Sequence, residues 1–182
     1  MLFRSPVREA LAFLEQEGLV NRAASGGATV TCLRREDVEE ICSLRLPLEL
    51  LAVRLASARG TEEHWAQLAA NIQATQKITD PQQLAQMDLE FHETIVRAAD
   101  HGRLLASWLN LRSQIRLIMV QRNLTDADSR RGTVQGHREL LAALKAGDAA
   151  GAVAVLEHHL QRQYDWIIKS FTDRDGLEPP AD

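Results

Sequence analysis

Few residues in this sequence interrupt a helix. Five prolines and ten glycines are spread over 182 residues, aromatic residues make up 4% of the chain, and β-branched residues are sparse. Ala, Leu, Arg, Glu and Gln are common instead, and all five have good helix propensity. The composition therefore argues against an extended sheet, and we predict an all-α protein built from long helices.

Cysteine and long apolar runs are also scarce. The two cysteines, Cys32 and Cys42, form no C-x-x-C pair and no disulfide framework, which favours a reducing compartment. No apolar run approaches the ~20 residues that cross a bilayer. The first six residues lack the apolar core of a signal peptide. We therefore predict a cytoplasmic protein that makes no membrane contact.

Charge is distributed unevenly along the chain. The net charge is −4, so the molecule as a whole has no nucleic-acid signature. Residues 1–35 nevertheless carry five arginines against three glutamates, an excess of two positive charges that leaves −6 on the remainder. A basic head on an acidic body fits a small element that contacts nucleic acid, although two charges are weak evidence.

Helix signals divide the chain into a short head and a helical body. Ser5 and Pro6 predict a helix start, Gly18 a helix end, and the residues around Ser25, Gly26 and Gly27 a β-hairpin. We predict a helix–hairpin head at residues 1–33, an antiparallel six-helix bundle as a body at 34–171 and a disordered tail at 172–182. The predicted body helices lie at about residues 36–59, 61–77, 81–99, 103–122, 132–145 and 148–170, with a polar segment at about 123–131 that is either a loop or a kinked entry to the next helix.

Four residues on three predicted helices form the most specific pattern in the body. Asp88 and His92 are four apart, so on a helix they lie on the same face. His137 and His159 project with apolar neighbours toward the interior of the bundle. A buried Asp88 needs a compensating charge or hydrogen bonds. Three imidazoles and a carboxylate suit a divalent transition metal, with zinc first and nickel, manganese or iron as alternatives.

The histidines also have a simpler interpretation, as core residues that bind no metal. A single histidine on an apolar stripe is usually a core residue bonded to a carbonyl, whereas four such residues that include an Asp-x-x-x-His pair are harder to explain in that way. His158 is turned roughly 100° away from His159 on a helix and is expected in solvent. We assign no role to His64 or His101.

Two stretches of the chain resemble a known family. Residues 4–11 (RSPVREAL) and 14–20 (LEQEGLV) are similar to the recognition helix and wing of the GntR family of bacterial transcription regulators, and residues 26–30 (GGATV) match its wing turn and strand. The body resembles the FCD ligand-binding domain of the FadR subgroup. The features that carry this second resemblance are Arg45 with Glu49 and Ala56, the Asp88 and His92 pair, His137 ahead of residues 143–148, and His159 with Leu160.

The resemblance implies a homodimeric regulator that reads DNA with its head. By this likeness Arg4 and Arg8 would touch DNA, Ser5 would cap the reading helix close to phosphate, and Gly26 and Gly27 would let the wing tip approach the backbone. The family's winged helix-turn-helix has two further helices before the recognition helix, at which this chain begins. We therefore expect DNA binding as the role of the intact protein, with an incomplete DNA-binding element here.

In the body the resemblance implies a metal held by Asp88, His92, His137 and His159. This metal would help to coordinate a small carboxylate effector, which is an organic or sugar acid. Arg45 is the first candidate for a bidentate grip on the carboxylate. Arg112 and Arg116 are the other two candidates, and the alternative for all three is an ordinary surface position.

Two other functions stay open on the sequence alone. A metal with vacant positions could activate water in an enzyme, although no general acid or base is evident near the ligands. A shortened relative could instead dimerise with full-length partners through its apolar first and fourth body helices. The leading prediction is a metabolite-responsive transcription regulator.

Overall fold

The computed structural model describes residues 4–16, 18–23, 27–31, 33–126 and 128–175. These residues form seven helices and one two-stranded sheet, which confirms the predicted all-α class with a small hairpin. The elements are α1 (Arg4–Gln16), β1 (Val20–Arg22), β2 (Ala28–Val30), α2 (Arg35–Arg59), α3 (Glu62–Thr75), α4 (Pro81–Ala98), α5 (Gly102–Thr125), α6 (Ser129–Lys145) and α7 (Ala149–Asp175).

The head consists of α1 and the hairpin. Gly18 follows α1 with φ of 70°, a left-handed conformation that glycine adopts without strain. Strands β1 and β2 are antiparallel, with Val20 opposite Val30. The predicted hairpin is therefore present, while residues 24–26 at its turn, including Gly26, lie outside the described residues. Val7 and Phe13 of α1 are exposed, so apolar surface of this helix is uncovered in this chain.

The predicted start signals of the body helices act as local caps. The Thr61 hydroxyl accepts a hydrogen bond from the backbone of His64 at the start of α3, and Asp80 accepts from Gln83 at 2.8 Å at the start of α4. At the start of α7, Asp148 accepts from the backbone of Gly151 at 2.8 Å. These caps explain why the observed starts of the three helices lie within one residue of the predicted starts.

Two predicted boundaries differ from the structure. The polar segment at 123–131 is not a loop of that length, because α5 continues to Thr125 and α6 begins at Ser129. Asn123 remains in α5, and its side chain donates a hydrogen bond to the carbonyl of Pro81 at 3.2 Å. This polar residue therefore makes a tertiary contact and does not form a turn. Helix α7 extends to Asp175, four residues into the segment predicted as a disordered tail, and residues 176–182 lie outside the described residues.

Helices α2–α7 pack as a six-helix bundle. Helix α2 contacts α4, α5, α6 and α7, and it remains helical through Pro47 in its interior. The largest fully buried side chains of the core include Leu68, Leu89, Phe91, Trp108, Ile115, Leu140 and Leu156. Among the described residues, no helix is long and apolar enough to span a membrane. The core places the inner faces of α4, α6 and α7 beside one another, where the predicted metal ligands lie.

Candidate metal centre

The structure brings the four predicted metal ligands together. Helix α4 supplies Asp88 and His92 from consecutive turns, α6 supplies His137, and α7 supplies His159. The exposed fractions of these residues are 3%, 1%, 0% and 7% in the same order. One donor atom from each of the four residues lies within 4.8 Å of the others. We call these four residues the His/Asp cluster.

Asp88 provides the negative charge of the His/Asp cluster. Its Oδ1 lies 3.4 Å from Nε2 of His137 and 4.0 Å from Nε2 of His92, and its Oδ2 lies 3.8 Å from Nη2 of Arg45. Burial opposes ionisation of this carboxyl, but the neighbouring imidazoles and the Arg45 guanidinium outweigh burial and hold its pKa well below the usual range. Asp88 is therefore a buried carboxylate anion.

Glu49 of α2 determines how His92 presents its ring. The Nδ1 of His92 lies 2.7 Å from Oε2 of Glu49. The same carboxylate accepts hydrogen bonds from Nε of Arg45 at 2.7 Å and from Nε1 of Trp108 at 2.9 Å. Burial alone would raise the pKa of Glu49, but the Arg45 charge and the donated hydrogen bonds keep it well below the usual value. A proton on Nδ1 of His92 leaves the Nε2 lone pair facing Asp88.

His137 stacks on Phe91. The two ring centroids are 3.6 Å apart, and the ring planes differ by 4°. Burial lowers the pKa of His137 to about 4, even though Asp88 favours the protonated form. The ring is therefore neutral near pH 7 and can offer a lone pair to a ligand.

Gln163 contacts His159 on α7. The amide nitrogen of Gln163 lies 3.0 Å from Nε2 of His159. Burial moves the pKa of His159 well below its usual value, and the repulsion that protonated His137 and His92 would exert on a further positive charge acts in the same direction. Gly136 of α6 lies against the other edge of this ring, and a Cβ at that position would overlap Nδ1 of His159. A glycine at position 136 therefore gives the His159 ring its space.

Buried polar atoms without partners indicate what the cluster can hold. Within the part of the chain that the structure describes, Oδ2 of Asp88, Nε2 of His92 and both ring nitrogens of His137 are buried and have no hydrogen-bond partner. Such atoms are rare in folded proteins unless an ion or water satisfies them. Neutral imidazoles and a carboxylate are the donors that divalent transition metals prefer. The residues present therefore fit such a metal.

The other predicted site residues occupy different surroundings. Arg45 is buried beside Asp88, whereas Arg112 pairs with Glu93 at 2.9 Å and Arg116 is exposed. In the head, Arg8 and Gly27 are exposed. Arg4 and Ser5 belong to α1, and Gly26 lies outside the described residues.

Three buried polar residues near the cluster were not predicted as site residues. Glu49 and Gln163 contact His92 and His159 directly, and Arg122 donates to Thr133 on α6 at 3.3 Å. A signal for two of them is present in the sequence, because Glu49 follows Arg45 by four residues and Gln163 follows His159 by four. Nothing in the local pattern marks Arg122, whose burial depends on the packing of α5 against α6.

Comparison with known proteins identifies the class to which this fold and cluster belong. Residues 40–162 match the FCD domain family. The chain is 36% identical over 110 residues to YdhC, an HTH-type transcriptional regulator of Bacillus subtilis (strain 168). It is 30% identical over 164 residues to a probable D-xylose utilization operon transcriptional repressor of Paenarthrobacter nicotinovorans. These matches cover 58% and 86% of this chain, and 49% and 70% of the two relatives.

The chain therefore belongs to the FCD-domain branch of the GntR family of transcriptional regulators. A solved structure of E. coli McbR/YncC has the same fold, with a TM-score of 0.81 at 24% identity, over 93% of this chain and 87% of that one. The relatives from Bacillus subtilis and Paenarthrobacter nicotinovorans are both named as transcriptional regulators, which favours the regulator over the metalloenzyme alternative.

Proposed function

We propose that this chain is a metabolite-responsive regulator whose helical domain, residues 34–171, binds one divalent transition metal and a small carboxylate effector. Asp88, His92, His137 and His159 would hold the metal. The observation that supports this proposal most directly is the set of buried donor atoms without partners in the His/Asp cluster. A metal in this position would supply positive charge to Asp88 and vacant positions for an oxygen ligand.

The chain's own residues prepare the cluster for that role. Glu49 fixes the tautomer of His92, and Gly136 leaves space for the ring of His159. Burial keeps His137 and His159 neutral, which removes a proton that would compete with a metal. The Arg45 guanidinium lies 3.8 Å from the carboxylate of Asp88 and 2.7 Å from that of Glu49.

Arg45 is our candidate for the grip on the effector carboxylate. Its Nη2 is buried and, among the described residues, has no hydrogen-bond partner, so it retains a donor for an incoming anion. Arg112 and Arg116 remain weaker candidates, because the first is engaged by Glu93 and the second is exposed to solvent. The proposed effector class is a small organic or sugar acid, whose carboxylate Arg45 would bind.

The head, residues 1–33, is proposed to contact operator DNA in the intact protein. Arg8 is exposed on α1 and available to DNA, and the open surroundings of Gly27 suit a wing that approaches the backbone. Exposed Leu44 and Leu51 on α2 support a homodimer that buries this helix face. An effector would change DNA affinity only if it favoured one arrangement of head and body over another. A bacterial regulator that binds operator DNA would act in the cytoplasm.

Metal content is the direct test of the metal site. Protein purified without a histidine tag should contain about one equivalent of a transition metal, and a His137→Ala/His159→Ala variant should contain none. His158→Ala is the matched control, because His158 adjoins His159 on α7 but is exposed. A parent that stays free of metal after reconstitution at neutral pH would contradict the proposed site.

DNA binding is tested separately from metal binding. The intact protein, with its complete winged helix-turn-helix, would be used to select sequences from a random DNA duplex library, and affinity for the enriched duplex would be followed by fluorescence anisotropy. We expect enrichment at low salt, weaker binding by Arg8→Ala, and unchanged binding by Arg54→Ala, an exposed arginine on α2. Equal affinity of the intact protein for enriched and random duplexes would contradict sequence-specific binding.

A further inference from the structure

A pocket of about 180 Å³ lies between α2, α5 and α7. Apolar side chains make much of its lining, namely Cys42 and Leu46 from α2, Met119 from α5 and Leu160 from α7. Exposed Ser43 and Gln161 also border the pocket and place its mouth at the protein surface. None of these residues belongs to the His/Asp cluster, so the pocket is a separate space that a ligand can enter from solvent.

Arg45 and Gln163 form a polar wall between this pocket and the His/Asp cluster. Both residues are buried and both line the pocket. Nη1 of Arg45 donates to Oε1 of Gln163 at 3.3 Å, and it lies 4.0 Å from Sδ of Met119 on the pocket side. The amide nitrogen of Gln163 lies 3.0 Å from Nε2 of His159 and donates to Oδ1 of Asp88 at 3.5 Å. A ligand in the pocket would therefore meet Arg45 and Gln163 first, and the cluster lies directly behind them.

We propose that this pocket holds the apolar body of the effector, and that the effector is a compact carboxylic acid with an aliphatic or aromatic body rather than a polyhydroxylated sugar acid. The inference rests on the proposed function, because it assigns a ligand class to the effector site suggested there. The carboxylate would bind at the Arg45 and Gln163 wall, and the apolar body would contact Leu46, Met119 and Leu160.

The lining determines this choice of ligand class. Besides Arg45 and Gln163, the lining includes polar side chains at Glu39, Ser43, Gln161 and Tyr164. The Ser43 hydroxyl already donates to the carbonyl of Glu40 and the Gln161 amide to Asp165, both at 2.7 Å. The hydroxyls of a sugar acid would therefore find few free partners in place of the water that they lose. An apolar body gains free energy from the same surface. The size agrees, since an apolar cavity of about 150 Å³ is enough for benzene. Glu39 also lines the pocket, but its carboxylate pairs with Arg35 at 2.8 Å, so repulsion of an anion is reduced.

The test compares two ligand classes on the metal-loaded full chain. Thermal shift and titration calorimetry would be run with benzoate and hexanoate, with gluconate and xylonate, and with benzyl alcohol as a neutral counterpart of benzoate. We expect benzoate or hexanoate to bind at least 10-fold more tightly than either sugar acid. Benzyl alcohol should bind at least 10-fold more weakly than benzoate, because it lacks the carboxylate that would form charge-assisted hydrogen bonds with Arg45.

Substitutions of two leucines on α2 test the position of the binding site. Leu46→Asn places an amide in the pocket and should weaken benzoate binding about 10-fold. Leu50→Asn is the matched control, because Leu50 lies four residues further along the same helix, is partly buried, and does not line the pocket. It should change benzoate affinity less than 2-fold. Melting temperatures of both ligand-free variants would separate loss of binding from loss of folding.

The possible results distinguish this inference from the proposed function. Tight binding of gluconate or xylonate, unaffected by Leu46→Asn, would overturn the apolar ligand class and leave a carboxylate sensor in place. Equal effects of Leu46→Asn and Leu50→Asn on benzoate affinity would overturn the location. Failure of every carboxylate to bind metal-loaded protein would overturn both the inference and the carboxylate-sensing function.

Discussion

Oε2 of Glu49 lies 2.7 Å from Nδ1 of His92, and this contact joins α2 to the ligand-bearing helix α4. A carboxylate that accepts from one ring nitrogen of a histidine directs the lone pair of the other nitrogen and makes it a better metal ligand. The second oxygen of Glu49 is occupied by Arg45 and Trp108, so the carboxylate cannot rotate without breaking buried hydrogen bonds. Glu49 is therefore a positioning residue for the proposed metal.

Glu49→Gln should weaken metal affinity by about 10- to 100-fold. The substitution removes the negative charge that fixes the His92 tautomer while it keeps the size of the side chain. Affinity would be measured by competition with a chromophoric chelator, and the stoichiometry should stay near one metal per chain. Glu93→Gln is the control, because Glu93 is a partly buried carboxylate on α4 that pairs with Arg97 and Arg112. Equal affinities of the two variants would contradict a positioning role for Glu49.

Gly136→Ala should reduce metal affinity by at least about 10-fold, because a metal ligand set tolerates little displacement of one ring. The added Cβ would overlap the ring of His159 and force that side chain to move. Gly132→Ala is a matched control one turn earlier on α6, where the nearest atom to the new Cβ is Nη2 of Arg162 at 3.2 Å, the end of a flexible side chain.

The two alanine variants should behave differently without metal. Replacement of a helical glycine by alanine stabilises a helix by about 0.5–1 kcal/mol where space permits. Gly132→Ala should therefore raise the melting temperature of metal-free protein slightly, and Gly136→Ala should not. Unchanged metal affinity of Gly136→Ala would mean that the space beside His159 is not needed for metal binding.

Local signals in the sequence predicted most of the helix boundaries and all four members of the His/Asp cluster. Asp80 with Pro81 and the Gly147–Asp148 pair act within one turn, so their effect can be read from neighbouring residues. The i, i+4 spacing of Asp88 and His92 likewise places both side chains on one face before any packing is known.

Local patterns in the sequence could not predict contacts between residues that are far apart along the chain. The bond between Trp108 and Glu49 joins residues 59 positions apart, and the contact of Gln163 with Asp88 joins residues 75 positions apart. The boundary near residue 123 was missed for a similar reason, because Asn123 is a poor helix residue that is held by the distant carbonyl of Pro81. The sequence also could not show that the Arg112 guanidinium lies against Glu93 at 2.9 Å, a contact that makes Arg112 a weaker effector candidate.

Metal removal should lower the stability of the folded chain. A metal that binds only the native state stabilises it by about 4 kcal/mol when its concentration is a thousand times Kd. For a domain of this size such a change lowers the melting temperature by on the order of 10 °C. Differential scanning calorimetry with and without a strong chelator would measure the shift.

A variant that lacks two of the proposed metal ligands shows whether the effect of the chelator comes from the His/Asp cluster. His137→Ala/His159→Ala should melt at the same temperature with and without chelator, and His158→Ala should show the full shift of the parent. A parent whose melting temperature does not respond to chelator or to added zinc, nickel, manganese or iron would count against a bound metal in this cluster.

Arg45→Ala should destabilise metal-free protein by about 3–5 kcal/mol. Arg45 is the guanidinium that faces the buried carboxylates of Glu49 and Asp88, and removal of one partner from a buried ionic group leaves the other charge uncompensated. Urea unfolding monitored by circular dichroism would measure the loss, with Arg54→Ala on the exposed face of α2 as the control.

Bound metal would compensate the charge of Asp88 directly, so Arg45→Ala should destabilise metal-loaded protein less than metal-free protein. An equal loss in both forms would indicate that Arg45 stabilises the fold through Glu49 alone and that its charge does not act on the proposed metal site.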